Sequence, residues 1–162
     1  MKIAALVTLL VAAVLFGAMA TVQNRLDLKP YRLGANPTYT EATLTKLIAE
    51  NRSKANLVVV PLLFPIDFLF LLFFGVGLAL CSVTHADALH VPRAWIGILL
   101  VLPIAYMAAD FTENVLYSAM LIWPETIPHL IDAERWATRL KWLFVIPAMA
   151  QAFGAFALSW QH

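Results

Sequence analysis

Four apolar stretches, each close to or above the roughly 20 helical residues needed to cross about 30 Å of hydrocarbon, decide what this chain can fold into. They run from Ile3 to about Val22, from about Leu57 to Val83, from about Ala94 to Ile122, and from about Trp142 to Trp160. In lipid each backbone polar group needs a partner inside its own segment, so the stretches are predicted to be helices. The expected fold is an all-α integral membrane protein, a four-transmembrane-helix bundle forming one domain over residues 1–162. Composition agrees, with 62% hydrophobic and 13% charged residues, where a soluble domain has roughly 45–50% and about 25%. All five tryptophans, Trp95, Trp123, Trp136, Trp142 and Trp160, fall at span ends or in the adjoining connector. An amphipathic ring prefers that headgroup level.

The first span also resembles a secretory signal peptide, because Lys2 precedes it and Ala18-Met19-Ala20 is a small-residue cleavage pattern. Its apolar run exceeds the ~7–15 residues of a signal core, so it is read as an uncleaved anchor. The loop over residues 23–56 holds Thr38-Tyr39-Thr40-Glu41, a capping-box spacing, just after Pro37. Leu44, Leu47 and Ile48 follow at helical spacing, which predicts an amphipathic helix over about residues 39–51. Such a helix lies on the membrane surface or packs over the bundle mouth, and packing is the simpler expectation. The first and third connectors carry nine Lys and Arg against two on the other side. By the positive-inside rule these connectors face the cytoplasm, with the protein in a plasma or inner membrane.

Three acids interrupt this pattern. Asp67, Asp110 and Glu113 lie inside predicted spans, whereas none of the eleven Lys and Arg does. A charge at mid-membrane costs at least ~2.5–3.5 kcal/mol, so such groups face an interior or a water-filled cavity and mark relays, ion paths or ligand sites. At 1.5 Å rise per residue, Asp67 and Asp110 both fall roughly 15–18 Å from the same membrane face. Tyr106, Asp110, Glu113, Asn114 and Tyr117 recur at one-turn spacing and form one stripe of the third helix. Gln151 is the strongly polar interior candidate of the fourth span, one turn after Pro147. Pro61 and Pro65, just before Asp67, are expected to kink the second span. Counted by region, the spans hold three acids and no base, while the remainder holds eleven bases and seven acids.

Several classes are excluded or disfavoured. The net charge of +1 offers no basic footprint for nucleic acid. The lone Cys81 permits no internal disulfide and reads as a small buried hydrophobe. No glycine-rich phosphate loop and no Ser–His pairing is present, and no cofactor is expected. His85, Asp87 and His90 read as a solvated connector, and His129 and His162 are isolated. Asn51-Arg52-Ser53 matches a glycosylation acceptor of low specificity. No Gly-x-x-x-Gly arrangement signals close helix pairing.

The size and four-span layout are similar to those of the lipoprotein signal peptidases. That family's Asn-x-x-Asp-Arg and Asn-x-Ala-Asp motifs are absent, the nearest stretch being Asp110-Phe-Thr-Glu113-Asn114. The Tyr-Asp and Gly-x-Gly-Asp motifs of presenilin-like proteases are also missing.

The expected function is therefore a polar cavity built on Asp67, Asp110, Glu113 and Asn114 that binds a cation, a proton or an amphipathic ligand, with Tyr106, Tyr117 and Gln151 as further ligand-binding candidates. Asp67, Asp110 and Glu113 are also the candidates for holding a hard, oxygen-ligated metal ion. One alternative is a lipid- or isoprenoid-modifying enzyme using Asp67 with Asp110 or Glu113 as an acid/base pair. The other is an accessory or structural subunit whose acid network fixes helix pairing. Expected partners are the lipid bilayer and a second copy or another membrane-complex subunit.

Overall fold

The computed structural model describes residues 2–28, 39–88 and 92–159. The described residues build six α-helices: α1 (Lys2–Arg25), α2 (Glu41–Glu50), α3 (Arg52–Leu57), α4 (Phe68–Ala88), α5 (Arg93–Ile122) and α6 (Ile127–Ser159). An irregular segment, Val58–Asp67, joins α3 to α4, and a single tight turn, Pro124–Thr126, joins α5 to α6. Three stretches are long and apolar enough to cross a membrane: Lys2–Arg25, Arg52–Thr84 through the irregular segment, and Trp95–Ile122. The expected fourth stretch is the C-terminal part of α6, whose N-terminal half carries Asp132, Glu134, Arg135, Arg139 and Lys141.

The helix ends follow local chemistry. At the end of α1, Asp27 adopts a left-handed φ of 52°, a conformation Asp tolerates better than most residues. Leu28 N–H then reaches back to the Gln23 carbonyl at 2.9 Å and buries its side chain, the pattern that closes many helices. Helix α2 is capped by Thr40, which accepts from Thr43 N–H at 3.2 Å. The expected capping residue Thr38 lies outside the described residues, as do Pro37, His90, Trp160 and His162. Asn51 ends α2 and caps α3 by accepting from Lys54 N–H at 3.1 Å. The glycosylation-like triplet is thus a helix junction.

The prolines of the second span act as expected, and more strongly than a kink. Val60 and Phe64, directly before Pro61 and Pro65, are extended at φ/ψ of −132°/119° and −121°/114°. Proline ring atoms clash with a helical residue in front of them. Regular helix therefore resumes only at Phe68, and Asp67 stands at its threshold.

The stretch expected as the third connector, residues 123–141, is mostly helical. Only Trp123 to Thr126 turn the chain, and helix resumes at Ile127. Besides Ala137, the buried residues along α6 include Ile127, Ile131, Glu134, Thr138, Val145, Ala148 and Ala152. With Lys141 these seven recur at alternating four- and three-residue steps, one continuous seam facing the other helices. Polar members hid the seam from a hydropathy reading.

Packing divides the molecule into two apolar layers. One joins Ala5 of α1, Leu71 and Leu78 of α4, Tyr106 of α5 and Val145, Ala148 and Ala152 of α6. The other, the cap, joins Leu28, then Leu44 and Ile48 of α2, then Val58, Val59, Leu62 and Leu63, with Met120 and Leu121 of α5 and Ile127 and Ile131 of α6. The apolar face of α2 is thus spent on the bundle mouth. In the first layer α4 packs against α1, α5 and α6. Close approach there depends on glycine, which motif spacing did not signal. A Cβ on Gly75 would run into the Met107 side chain of α5, and one on Gly77 would come within 2.7 Å of Leu9 Cδ2 on α1.

Gly75→Leu is accordingly expected to cost about 1–3 kcal/mol through overpacking, read as a lowered thermal midpoint in detergent. Gly17→Leu, at a site with open space, should leave the midpoint unchanged; equal effects would refute the close-approach role.

Candidate functional site: a polar layer between two apolar cores

The polar residues singled out in the sequence collect between the two apolar layers. On α5, Asp110, Glu113 and Asn114 lie between Tyr106 of the first layer and Met120 of the cap, and all three are buried. On α6, Glu134, Thr138 and Lys141 lie between Ile131 of the cap and Val145 of the first layer. Asp67 lies between Leu63 and Leu71 in the same way. Seven polar side chains from three segments thus form one stratum.

Lys141 is its hub. The ammonium Nζ sits 2.9 Å from Asp110 Oδ1 and 2.8 Å from Glu113 Oε2. The two carboxylates are nearly closed off from solvent, with side-chain exposures of 3% and 8% against 21% for Lys141. The Tyr106 hydroxyl donates to Asp110 Oδ2 at 3.1 Å. The Asn114 amide donates to Asp67 Oδ2 at 2.6 Å, which fixes the acid before α4 against α5. Asp67 is only partly buried and lies within electrostatic reach of Asp110, Glu113 and Lys141. The rings of Phe64 and Phe68, from residues on either side of Asp67 in the chain, stack at 6.2 Å, and Phe68 meets Phe111 of α5 edge-on at 6.1 Å.

This arrangement corrects the reading of the acids as unpaired by any base. The span boundary at Trp142 left Lys141 one residue outside, yet the four-three seam of α6 places it inside the bundle. The same spacing would have found Thr138 and Glu134. Glu134 is fully buried, accepts a hydrogen bond from Thr138 Oγ1 at 3.4 Å, and has no partner for Oε2 among the described residues. Burial pushes the Glu134 carboxyl up to about 7 from 4.5, with the Thr138 hydroxyl and the charges of Lys141 and Arg135 opposing the shift.

Two other candidates lie elsewhere. Tyr117 is buried in the cap core. Gln151 stands ten residues beyond Lys141 along α6, about 15 Å away, and donates to Ser82 Oγ at 2.8 Å and to the Leu99 carbonyl at 2.7 Å. It binds α4, α5 and α6 together at the far end of the bundle. Among the described residues no group of three His, Cys, Asp or Glu converges to hold a metal ion; Lys141 takes the place between Asp110 and Glu113. No family model matches the chain, and comparison with curated proteins and with solved structures finds no match.

Removing Lys141 leaves two buried carboxylates without their cation. Lys141→Met is expected to cost about 3–5 kcal/mol in thermal unfolding of the full chain, and adding Asp110→Asn and Glu113→Gln should restore most of it. A single variant as stable as the parent would show that water, not Lys141, balances these acids. A separate pH effect follows from Glu134. Its carboxyl binds a proton more tightly in the folded state, so its contribution is fully present below about pH 4.5 and is lost as pH rises through about 7. Stability should fall by on the order of 3 kcal/mol across that window, since one unit is about 1.4 kcal/mol. Comparing unfolding midpoints of parent and Glu134→Gln at pH about 5 and 8 checks it: the variant should lack this component.

Proposed function

We propose that the chain is a four-span integral membrane protein whose polar layer binds a proton or a small cationic group, with Asp67 as the receiving carboxylate. The apolar bundle sets the frame of this reading. Helix α4 has 21 residues, about 30 Å of rise and so one hydrocarbon thickness. The charge-free C-terminal part of α6 from Trp142 serves as the fourth span at the same level. Exposed apolar side chains on each helix of this layer, among them Leu10, Leu72, Ile98 and Ile146, face lipid. On this placement the polar layer lies at one edge of the hydrocarbon, nearer a membrane face than residue counting along an unbroken second span suggested. The extended residues before Pro61 and Pro65 account for the difference.

The charge balance of the layer carries the proposal. Against the three acids Asp67, Asp110 and Glu113 stands Lys141, which forms ion pairs with the latter two. Two carboxylates in excess of bases are costly in a poorly hydrated site unless protons or a cation offset them. Lys141 pairs with both Asp110 and Glu113, one positive charge against two carboxylates. Asp67 accepts a hydrogen bond from the neutral Asn114 amide and is the most exposed of the three acids. The cluster of Phe64, Phe68 and Phe111 rings, two of them from residues flanking Asp67 in the chain, would suit the apolar part of an amphipathic cation. The cytoplasmic placement of the cap, on the same side as the basic residues of the first and third connectors, belongs to the same proposal.

The test is thermal unfolding of the purified full chain across pH and with sodium, magnesium or a long-chain quaternary ammonium ion. Saturation about a hundredfold above Kd stabilises by about 2.7 kcal/mol, which in a chain of this size raises the midpoint by about 5–10 °C. At least one of these cations, or acid, should give that rise in the parent and not in Asp67→Asn. Identical responses in parent and variant would overturn the proposal.

A further inference from the structure

Glu134 lies outside the three-carboxylate site and is not needed for it. It occupies a core position of the α6 seam with no exposure, and one of its two oxygens has no partner among the described residues. A structural carboxylate at such a position would have both oxygens satisfied. Thr138, one turn further along α6, donates to the other oxygen and lies close enough to Glu113 on α5 to act on its carboxyl. One hydroxyl therefore stands between two carboxyl groups. Beyond Glu113 the chain of contacts continues to Lys141, Asp110 and Tyr106.

The surroundings of Glu134 mark the direction in which this chain runs. Arg135 and Lys141 are the charged neighbours on its own helix. On the cap side Arg135 donates to the Tyr39 carbonyl, pairs with Asp132 at 3.1 Å and lies over the Tyr39 ring at 5.3 Å. Asp132 is 83% exposed. The carboxyl of Glu134 is thus one residue from groups that reach water and, through Thr138, one hydroxyl from Glu113 at the centre of the polar layer.

We propose that Glu134 is a second proton-binding carboxylate, exchanging a proton with Glu113 through the Thr138 hydroxyl, so that the polar layer receives its protons from the cap side. The proposal rests on the reading of that layer as a binding site and makes the proton its ligand. In the exchange, protonated Glu134 gives its hydrogen to Thr138 Oγ1 while that oxygen passes its own hydrogen to the Glu113 carboxylate. One O–H bond breaks and one forms at the hydroxyl, Glu134 becomes the carboxylate and Glu113 the acid, and no other reactant is consumed. A hydroxyl can both donate and accept, which is what this position requires.

Infrared spectroscopy of the full chain in lipid nanodiscs, transferred from H2O to D2O, tests it through the stretch of the protonated carboxyl groups. The component removed by Glu113→Gln reports the central layer. Thr138→Val and Glu134→Gln should each slow deuterium exchange of that component about a hundredfold, the low end of what a positioned proton-transfer group contributes. Thr138→Ser, which keeps the hydroxyl, should exchange at the parent rate. If Glu134→Gln does not fold, the Thr138→Val and Thr138→Ser pair decides. Parent-rate exchange in Thr138→Val overturns the path through Thr138 while leaving the binding site standing. Absence of any component sensitive to Glu113→Gln overturns the proton as ligand of that layer, and the cation responses of Asp67→Asn then judge the site separately.

Discussion

The ammonium of Lys141 satisfies two carboxylates on a neighbouring helix at once, and the architecture is arranged around keeping the three groups together. A buried ion pair stabilises only when its geometry is close and its remaining hydrogen-bonding capacity is met. Here Nζ lies within 2.9 Å of both acids, and Tyr106 supplies a further donor to Asp110. The apolar layers on either side exclude water without themselves providing any counter-charge. Each layer is an ordinary hydrophobic core; the boundary between them is where the chemistry is concentrated.

The cap is what separates this molecule from a plain bundle of apolar helices. It exists because two prolines force extended backbone at Val60 and Phe64, so the chain between α3 and α4 folds over the bundle mouth instead of continuing as helix. Basic side chains then tie its pieces down. Arg52 donates to the Ile122 carbonyl at the end of α5, where a cation also suits the helix dipole. Lys54 pairs with Asp27 just past α1 at 2.7 Å. Residues counted in the sequence as a charge bias between membrane faces are, in the folded chain, also the fastenings of this cap.

The long helical stretches were legible because twenty consecutive apolar residues leave few alternatives. So was the stripe from Tyr106 to Asn114, whose one-turn spacing is independent of what surrounds it. Depth was less legible. A rise of 1.5 Å per residue holds only in regular helix, and Asp67 follows ten residues that are not regular. Lys141, Thr138 and Glu134 were missed for a different reason: hydropathy assigns charged residues to water, whereas the four-three spacing of α6 assigns them to the interior. Where the two signals disagree, burial followed spacing, because Ile127, Ile131, Val145 and Ala148 hold that face of the helix inward. Gln151 illustrates the opposite error. Being polar inside a predicted span, it was grouped with the acids, although helix length alone separates it from Lys141 by about 15 Å.

The seam of α6 has one more consequence. Apolar faces slide past one another at little cost, since a Leu against a Val in one register is much like a Leu against an Ala in the next. Polar groups at three successive inward positions remove that tolerance. Shifting α6 by one turn along α5 would carry Lys141 out of reach of Asp110 and Glu113, while at the far end Gln151 would lose the Leu99 carbonyl. The two clamps lie at opposite ends of the same helix pair and both must close together. Their separation acts as a ruler: of all the offsets at which α5 and α6 can bury their apolar surface, it admits a single one.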